Sequence, residues 1–212
     1  SNKKQKLEVK TDFSDTFKVH LLKALEGNPQ FSEAHSQLAL IYQELGEHKE
    51  AETHFKRAIE LSCKQIRDID KRGRRLLKKF QFQYANILFM KAQEKRHHCA
   101  NINLQLSNLY ESQRKSAKAQ TCLKNSIQLN PSYSKAYREL GIILLRQKSY
   151  DAARLHIEKA LELDYSDCLS HLNLGIIMKK SRDYEDAELH FLIAMDINPD
   201  FAVCMVEMAL LQ

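Results

Sequence analysis

The run Ser134-Lys-Ala-Tyr-Arg-Glu-Leu-Gly141, continued by Tyr150, Ala153, Ala160 and Leu163, decides the fold, because its spacing recurs along the chain. Three periods of 34 residues upstream, the same order of sizes stands as Leu38, Tyr42, Gly46, Ala51, Phe55 and Ala58. With repeats beginning at Ser32, Ile66, Ala100, Ser134, Cys168 and Ala202, the twentieth place is Ala51, Ala85, Ala119, Ala153 and Ala187. The twenty-seventh place is Ala58, Ala92, Ser126, Ala160 and Ala194, and the eighth is Ala39, Gly73, Ser107, Gly141, Gly175 and Ala209. These columns admit only small side chains. Large ones alternate with them: Leu38, Leu106, Leu140, Leu174 and Met208 at the seventh place, and Phe55, Phe89, Leu123, Ile157 and Phe191 at the twenty-fourth. Two antiparallel helices whose axes lie about 8–10 Å apart need this alternation, with small residues where backbones approach and bulky ones beside them. Pro29, Pro131 and Pro199 share the thirty-second place, where proline ends a helix because it has no amide hydrogen to continue the ladder.

A helix-turn-helix unit of this length, with these small and large columns, resembles the tetratricopeptide repeat. The resemblance implies an all-α fold: a right-handed superhelical solenoid of antiparallel helix pairs, with five full 34-residue repeats and partial repeats at both ends. The corresponding frame is one solenoid over 1–212. A half repeat occupies 1–31, full repeats occupy 32–65, 66–99, 100–133, 134–167 and 168–201, and a partial repeat occupies 202–212. The apolar run Val203, Met205, Val206, Met208, Leu210 and Leu211 has no polar capping helix after it, so it is expected either to continue into a longer protein or to pair with another chain.

Composition agrees with a helical chain. Only five Gly and three Pro punctuate 212 residues, and 43% hydrophobic with 28% charged residues is the balance of a water-exposed globular domain. No stretch approaches the roughly 18 apolar residues of a membrane span, so no membrane insertion is expected. The five cysteines are odd in number and lack metal-ligand spacing, which favours reduced thiols and a cytoplasmic location. His97, His98 and Cys99 are the one local cluster with metal-binding chemistry, but no second ligand pair accompanies them, so no metal or other cofactor is expected.

The unit at 66–99 departs from the pattern in its first helix, where Arg72 replaces the leucine of the seventh place. An unpaired buried guanidinium costs several kcal/mol, so this side chain must turn outward or the helix must rotate. No Gly or Pro lies between Gly46 and Gly73, which leaves the preceding helix free to run on through Cys63. Residues 64–79 also carry eight basic side chains against Asp68 and Asp70, a local charge of +6. The remainder of the chain holds 25 basic and 25 acidic residues, so its whole net charge resides in this segment. Lys64, Arg67, Lys71, Arg74, Arg75 and Lys78 form the patch. It reads first as a solvated helix face, then as a site for an acidic protein partner, and last as a nucleic-acid site, since no aromatic is interleaved before Phe80.

In the resembled family the first helices of successive repeats line the inner surface. Carried over by place, that surface is polar and partly basic in the first half, where Glu33, Asp70, Arg74 and Asn108 stand. It is largely apolar in the second. Leu104, Asn108, Arg138, Ile142, Leu145, Leu169, Leu172, Ile176 and Lys179 are the candidate partner-binding residues. Nothing within a repeat requires Ile142, Leu172 or Ile176 to be apolar, so an amphipathic helix or extended segment of a partner is expected to fill the groove. Members that grip a chaperone's C-terminal carboxylate use Lys and Asn at defined places. Here those places hold Asp70, Arg74, Gln105, Lys135 and Glu139, a single match.

The sequence lacks a glycine-rich phosphate loop, an HExxH pair and a GxSxG elbow. His35 and His171 share a place that is an aromatic packing position in the family. The expected function is therefore a non-enzymatic protein-protein interaction scaffold, with the recognition arm of a larger enzyme or multi-subunit complex as the alternative. Nucleic-acid binding through 64–79 ranks below both.

Overall fold

A computed structural model describes residues 16–210, and every regular element in that range is an α-helix. Contacts group the chain into two compact units, one ending at Lys115 and one beginning at Ser116. The first holds α1 (16–27), α2 (Ser32–Glu44), α3 (His48–Lys78) and α4 (Phe82–Ser112). The second holds α5 (Ser116–Leu129), α6 (Ser134–Arg146), α7 (Tyr150–Leu163), α8 (Cys168–Lys180), α9 (Tyr184–Ile197) and α10 (Ala202–Ala209). Sequential helices pack as antiparallel pairs, α2 on α3 and α3 on α4 in the first unit, α6 on α7 and α8 on α9 in the second.

The turn inside each repeat is made the same way five times. The fifteenth place is left-handed at Gly46, Phe80, Arg114, Lys148 and Arg182, with φ of 77°, 57°, 58°, 62° and 65°. The next residue's amide then reaches back five residues: Glu47 to the Tyr42 carbonyl at 2.8 Å, Gln81 to Leu76 at 3.0 Å, Lys115 to Tyr110 at 2.8 Å, Ser149 to Leu144 at 3.0 Å and Asp183 to Met178 at 3.0 Å. This six-to-one bond closes the end of the first helix by satisfying a carbonyl that the helix leaves open.

The turn between repeats depends on a side chain instead. The thirty-first place is Asn28, Asn130, Asp164 and Asn198 where the chain turns, but Ser62 just before the divergent unit and Arg96 within it. The Asn28, Asn130 and Asp164 side chains accept from the amide two residues on, at 3.1, 3.3 and 3.2 Å. Such a local bond offers the backbone an alternative to the helical ladder. Without it, and without proline at the next place, the helix continues. α3 therefore runs through 62–66 and α4 through 96–100, giving two helices of 31 residues, each about 46 Å long. The run-on of α3 is the one expected from the lack of Gly and Pro. That of α4 corrects the expected break near 99, and Arg96 at the turn place is its cause. Arg72 is exposed, which resolves the seventh-place anomaly in favour of the outward-turned side chain.

Small-against-large packing sets the separation of each pair. A β-carbon at Gly73 would lie 2.8 Å from the Phe89 ring, one at Gly141 2.6 Å from Ile157, and one at Gly175 2.5 Å from Phe191. Ala153, Ile157, Ala187, Phe191 and Ala194 are fully buried in the core of the second unit. Phe191→Ala should lower the unfolding free energy by about 3–5 kcal/mol, and Gly175→Ala by about 1–3 kcal/mol through overpacking. Because the two side chains compete for one space, Gly175→Ala combined with Phe191→Leu should cost less than the two singles together, read by urea denaturation; strict additivity would refute this contact as the spacer.

Candidate functional site

The first-helix face of the second unit is built by α6, α8 and α10, and α6 touches α8 directly. Packing α7 against α6 and α9 against α8 fixes which faces remain outward. Along the outward face, Leu169 is 39% exposed and Val203, Val206 and Leu210 are more so, while Ile142, Leu145 and Ile176 are half-buried. Leu172 is different: at 7% exposure it belongs to the core with Leu174, Ile177 and Phe191. The expectation that nothing inside the repeat needs Leu172 to be apolar is corrected by that burial. Leu145 and Ile176 also pack against the same core on one side.

Two of the three basic residues of this face, Arg138 and Lys179, are already engaged, while Lys135 is exposed on α6. Arg138 Nη1 donates to both carboxylate oxygens of Asp167 at 2.9 Å, and Nη2 donates to Glu139 at 3.1 Å. Asp167 and Glu139 hold the Arg138 guanidinium more firmly protonated than usual, against the opposing effect of its burial. Lys179 Nζ lies 3.3 Å from the Glu207 carboxylate and so ties α8 to α10. The ion pairs link neighbouring first helices, and what stays exposed on this face, apart from Lys135, is chiefly apolar.

The first unit places its candidates otherwise. Leu104 is buried on α4, whereas Asn108, four residues along, is exposed. Glu33 pairs with Lys95 and Asp70 with Arg96, so the long helix α4 is pinned to both α2 and α3. Lys64, Arg67, Lys71, Arg74, Arg75 and Lys78 are all exposed on α3. Cys63 and Cys99 face one another across α3 and α4 with sulfurs 3.8 Å apart. Among the described residues no three His, Cys, Asp or Glu side chains are grouped to hold a metal ion, and no helix is long and apolar enough to cross a membrane.

A tetratricopeptide repeat family model matches residues 104–167, and a second tetratricopeptide repeat model matches 32–62. The chain is a tetratricopeptide repeat protein. Of the two places where the inter-repeat turn is lost, Ser62 is the last residue of the second match and Arg96 lies between the two matches. Among solved structures, the protein in "Crystal structure of MamA" is similar over 93% of this chain and 95% of its own, with 18% identity and a TM-score of 0.64. The Arabidopsis OM64 TPR domain is similar over 55% of this chain and 97% of its own, with 18% identity and a TM-score of 0.53. The first TPR of Spaghetti (RPAP3), solved bound to the HSP90 peptide SRMEEVD, is similar over 53% of this chain and 89% of its own, with 17% identity and a TM-score of 0.52. At these identities the likeness is one of fold. No curated protein matches the chain.

His35, His54, His171 and His190 sit in the seams between paired helices, a placement the fourth-place column indicates but whose partners it hides. His171 is fully buried, with Nδ1 3.2 Å from Nδ1 of His190 and Nε2 3.0 Å from the Tyr165 carbonyl. The carbonyl requires an Nε2–H, so His171 Nδ1 accepts and His190 Nδ1–H donates. His35 and His54 repeat the arrangement at 2.9 Å, with Tyr42 stacked on His54. The twenty-third place, which supplies His54, His156 and His190, is a column the size pattern alone does not single out.

Burial holds both His171 and His190 below the ordinary imidazole range, and the proximity of His171 depresses His190 further. The folded pair is thus neutral while the unfolded histidines take protons near pH 6.5, so the stabilisation is complete above that pH and is lost as pH falls below it. The melting temperature should drop between pH 6.5 and 5, and His190→Gln, which keeps a donor but does not titrate, should flatten that drop in thermal circular dichroism. An unchanged slope would exclude this pair as its source.

Proposed function

We propose that the chain is a protein-binding module whose second unit takes an apolar segment of a partner along the face of α6, α8 and α10. Tetratricopeptide repeats form extended binding surfaces from stacked helix pairs, and RPAP3's domain was solved with a peptide bound. One observation supports the apolar mode in particular. Leu169, Val203 and Val206 are exposed at inner-face places, while Arg138 and Lys179, two of the three cations of that face, are engaged by Asp167, Glu139 and Glu207 and only Lys135 is exposed beside them. Binding there would draw on apolar burial, about 25 cal/mol per Å² removed from water, more than on new ion pairs. The same engagement argues against capture of a terminal carboxylate, as do the residues at the clamp places. The scaffold reading is preferred to an enzymatic one because the conspicuous titratable clusters, the histidine pairs, are occupied in the helix seams.

The test uses peptides selected by display against the full chain. Since Leu172 is a core residue, Leu169→Asp with Val206→Asp replaces the more obvious groove substitutions. Selected apolar peptides should lose at least tenfold in affinity by titration calorimetry, with helical content and melting temperature retained. Peptides that bind the double variant as tightly as the native chain would remove this face from consideration.

A further inference from the structure

The tip of the α3–α4 hairpin departs from the rest of the chain in three ways at once. Its charge is one-sided: residues 71–93 contain seven Lys or Arg and no Asp or Glu. The ion pairs of the first unit are made by Lys18, Lys56, Arg57, Lys95 and Arg96, outside this cluster. Its turn presents a large apolar side chain where the turns of the other repeats do not. The left-handed turn place, necessarily at the surface, is Gly46, Arg114, Lys148 or Arg182 elsewhere, but here it is Phe80, 81% exposed. Phe80 meets Phe82 edge-on at 6.1 Å, and Tyr84, Ile87 and Met90 continue the exposed apolar row along α4. An aromatic at positive φ in open solvent contributes nothing to the fold that glycine or arginine would not provide more cheaply.

The third feature is a cleft. A cavity of about 600 Å³ opens beside the tip, lined by Leu76 and Leu88 together with Arg72, Arg75, Lys78 and Lys79. A cleft lined by leucines and cations alone suits an amphiphile of negative charge. We infer that this hairpin is a second docking site, distinct from the α6–α8–α10 face, and that its occupant is an acidic amphipathic segment of a partner protein. The segment's apolar side chains would enter the cleft and lie along the Phe80–Met90 row, while its carboxylates meet the lining cations. The cleft suits a row of side chains better than a flat bilayer. Aliphatic Leu76, Leu88, Ile87 and Met90 offer no hydrogen bonds to base edges, which weighs against nucleic acid.

The experiment uses the full chain and a fluorescein-labelled 16-residue peptide with leucines at i, i+3, i+4 and i+7 spacing and glutamates elsewhere, followed by anisotropy. Binding should be saturable at 150 mM salt and weaken severalfold at 300 mM. It should be absent when the leucines become serine or the glutamates become lysine. Arg72→Glu with Lys79→Glu, and separately Phe80→Ser with Met90→Ser, should each lower affinity at least tenfold with unchanged helicity, since all four side chains are exposed. Leu169→Asp with Val206→Asp should leave it intact, which separates this site from the other. On the native chain, hydrogen exchange should show new protection within 71–91. No binding, binding indifferent to either hairpin pair, or tighter association with vesicles containing phosphatidylserine or with a 20-nucleotide single strand would overturn the assignment.

Discussion

The close approach of paired helices is the constraint from which the rest of this structure follows. At Gly73, Gly141 and Gly175 a single added carbon would fall within 2.8 Å of the partner helix's large side chain, a distance at which a packed core must yield. That contact sets how far apart the helices of a pair lie. The left-handed turn and its six-to-one hydrogen bond set how one helix enters the next, in both units alike. The two devices are independent, since one is a matter of volume and the other of backbone conformation. Together they explain why the first helix of the divergent repeat pairs correctly even with Arg72 at the leucine place: Gly73 still receives Phe89, and the turn at Phe80 still closes.

Helix continuity, by contrast, is decided by a competition that size columns do not record. Between repeats the chain turns where Asn or Asp can accept a nearby amide, and where proline follows at three of the four such places. Tyr165, which follows Asp164 in place of proline, shows that the acceptor suffices. At Ser62 and Arg96 neither device is present, and the backbone keeps its helical bonds. Repeat identity, pairing and the intra-repeat turns were therefore legible from volumes and period. Both fusions have the same mark in the sequence, no Gly or Pro between Gly46 and Gly73 or between Gly73 and Pro131, but in the second stretch the 34-residue frame places a break near 99 that the backbone does not make.

The candidate faces were legible to a lesser degree, for a reason that lies in the geometry of a helix. A place number states which face a residue occupies, not how deep the neighbouring helix buries it. Leu169 and Leu172 are both inner-face positions of α8, yet one is 39% exposed and the other 7%. Arg138 and Lys179 look like free cations in the sequence because their carboxylates, Asp167 and Glu207, are 29 and 28 residues away and come close only through stacking of successive first helices. The basic segment of α3 was easier, since consecutive like charges on one helix have few places to go but outward.

The two exposed surfaces differ in the physics they offer. On the proposed reading the α6–α8–α10 face, whose Arg138 and Lys179 are paired internally, attracts chiefly at short range through displaced water. The hairpin tip carries unneutralised cations beside exposed aromatics, so its field extends about a Debye length, roughly 8 Å at physiological salt, before contact is made. If both proposed sites are used, one surface is approached electrostatically and the other is bound by apolar burial. Loss of the turn residues at 62 and 96 joins the helices of the 66–99 repeat to their neighbours as α3 and α4, whereas the cationic and aromatic residues at 71–91 flank the turn at Phe80, which every repeat possesses.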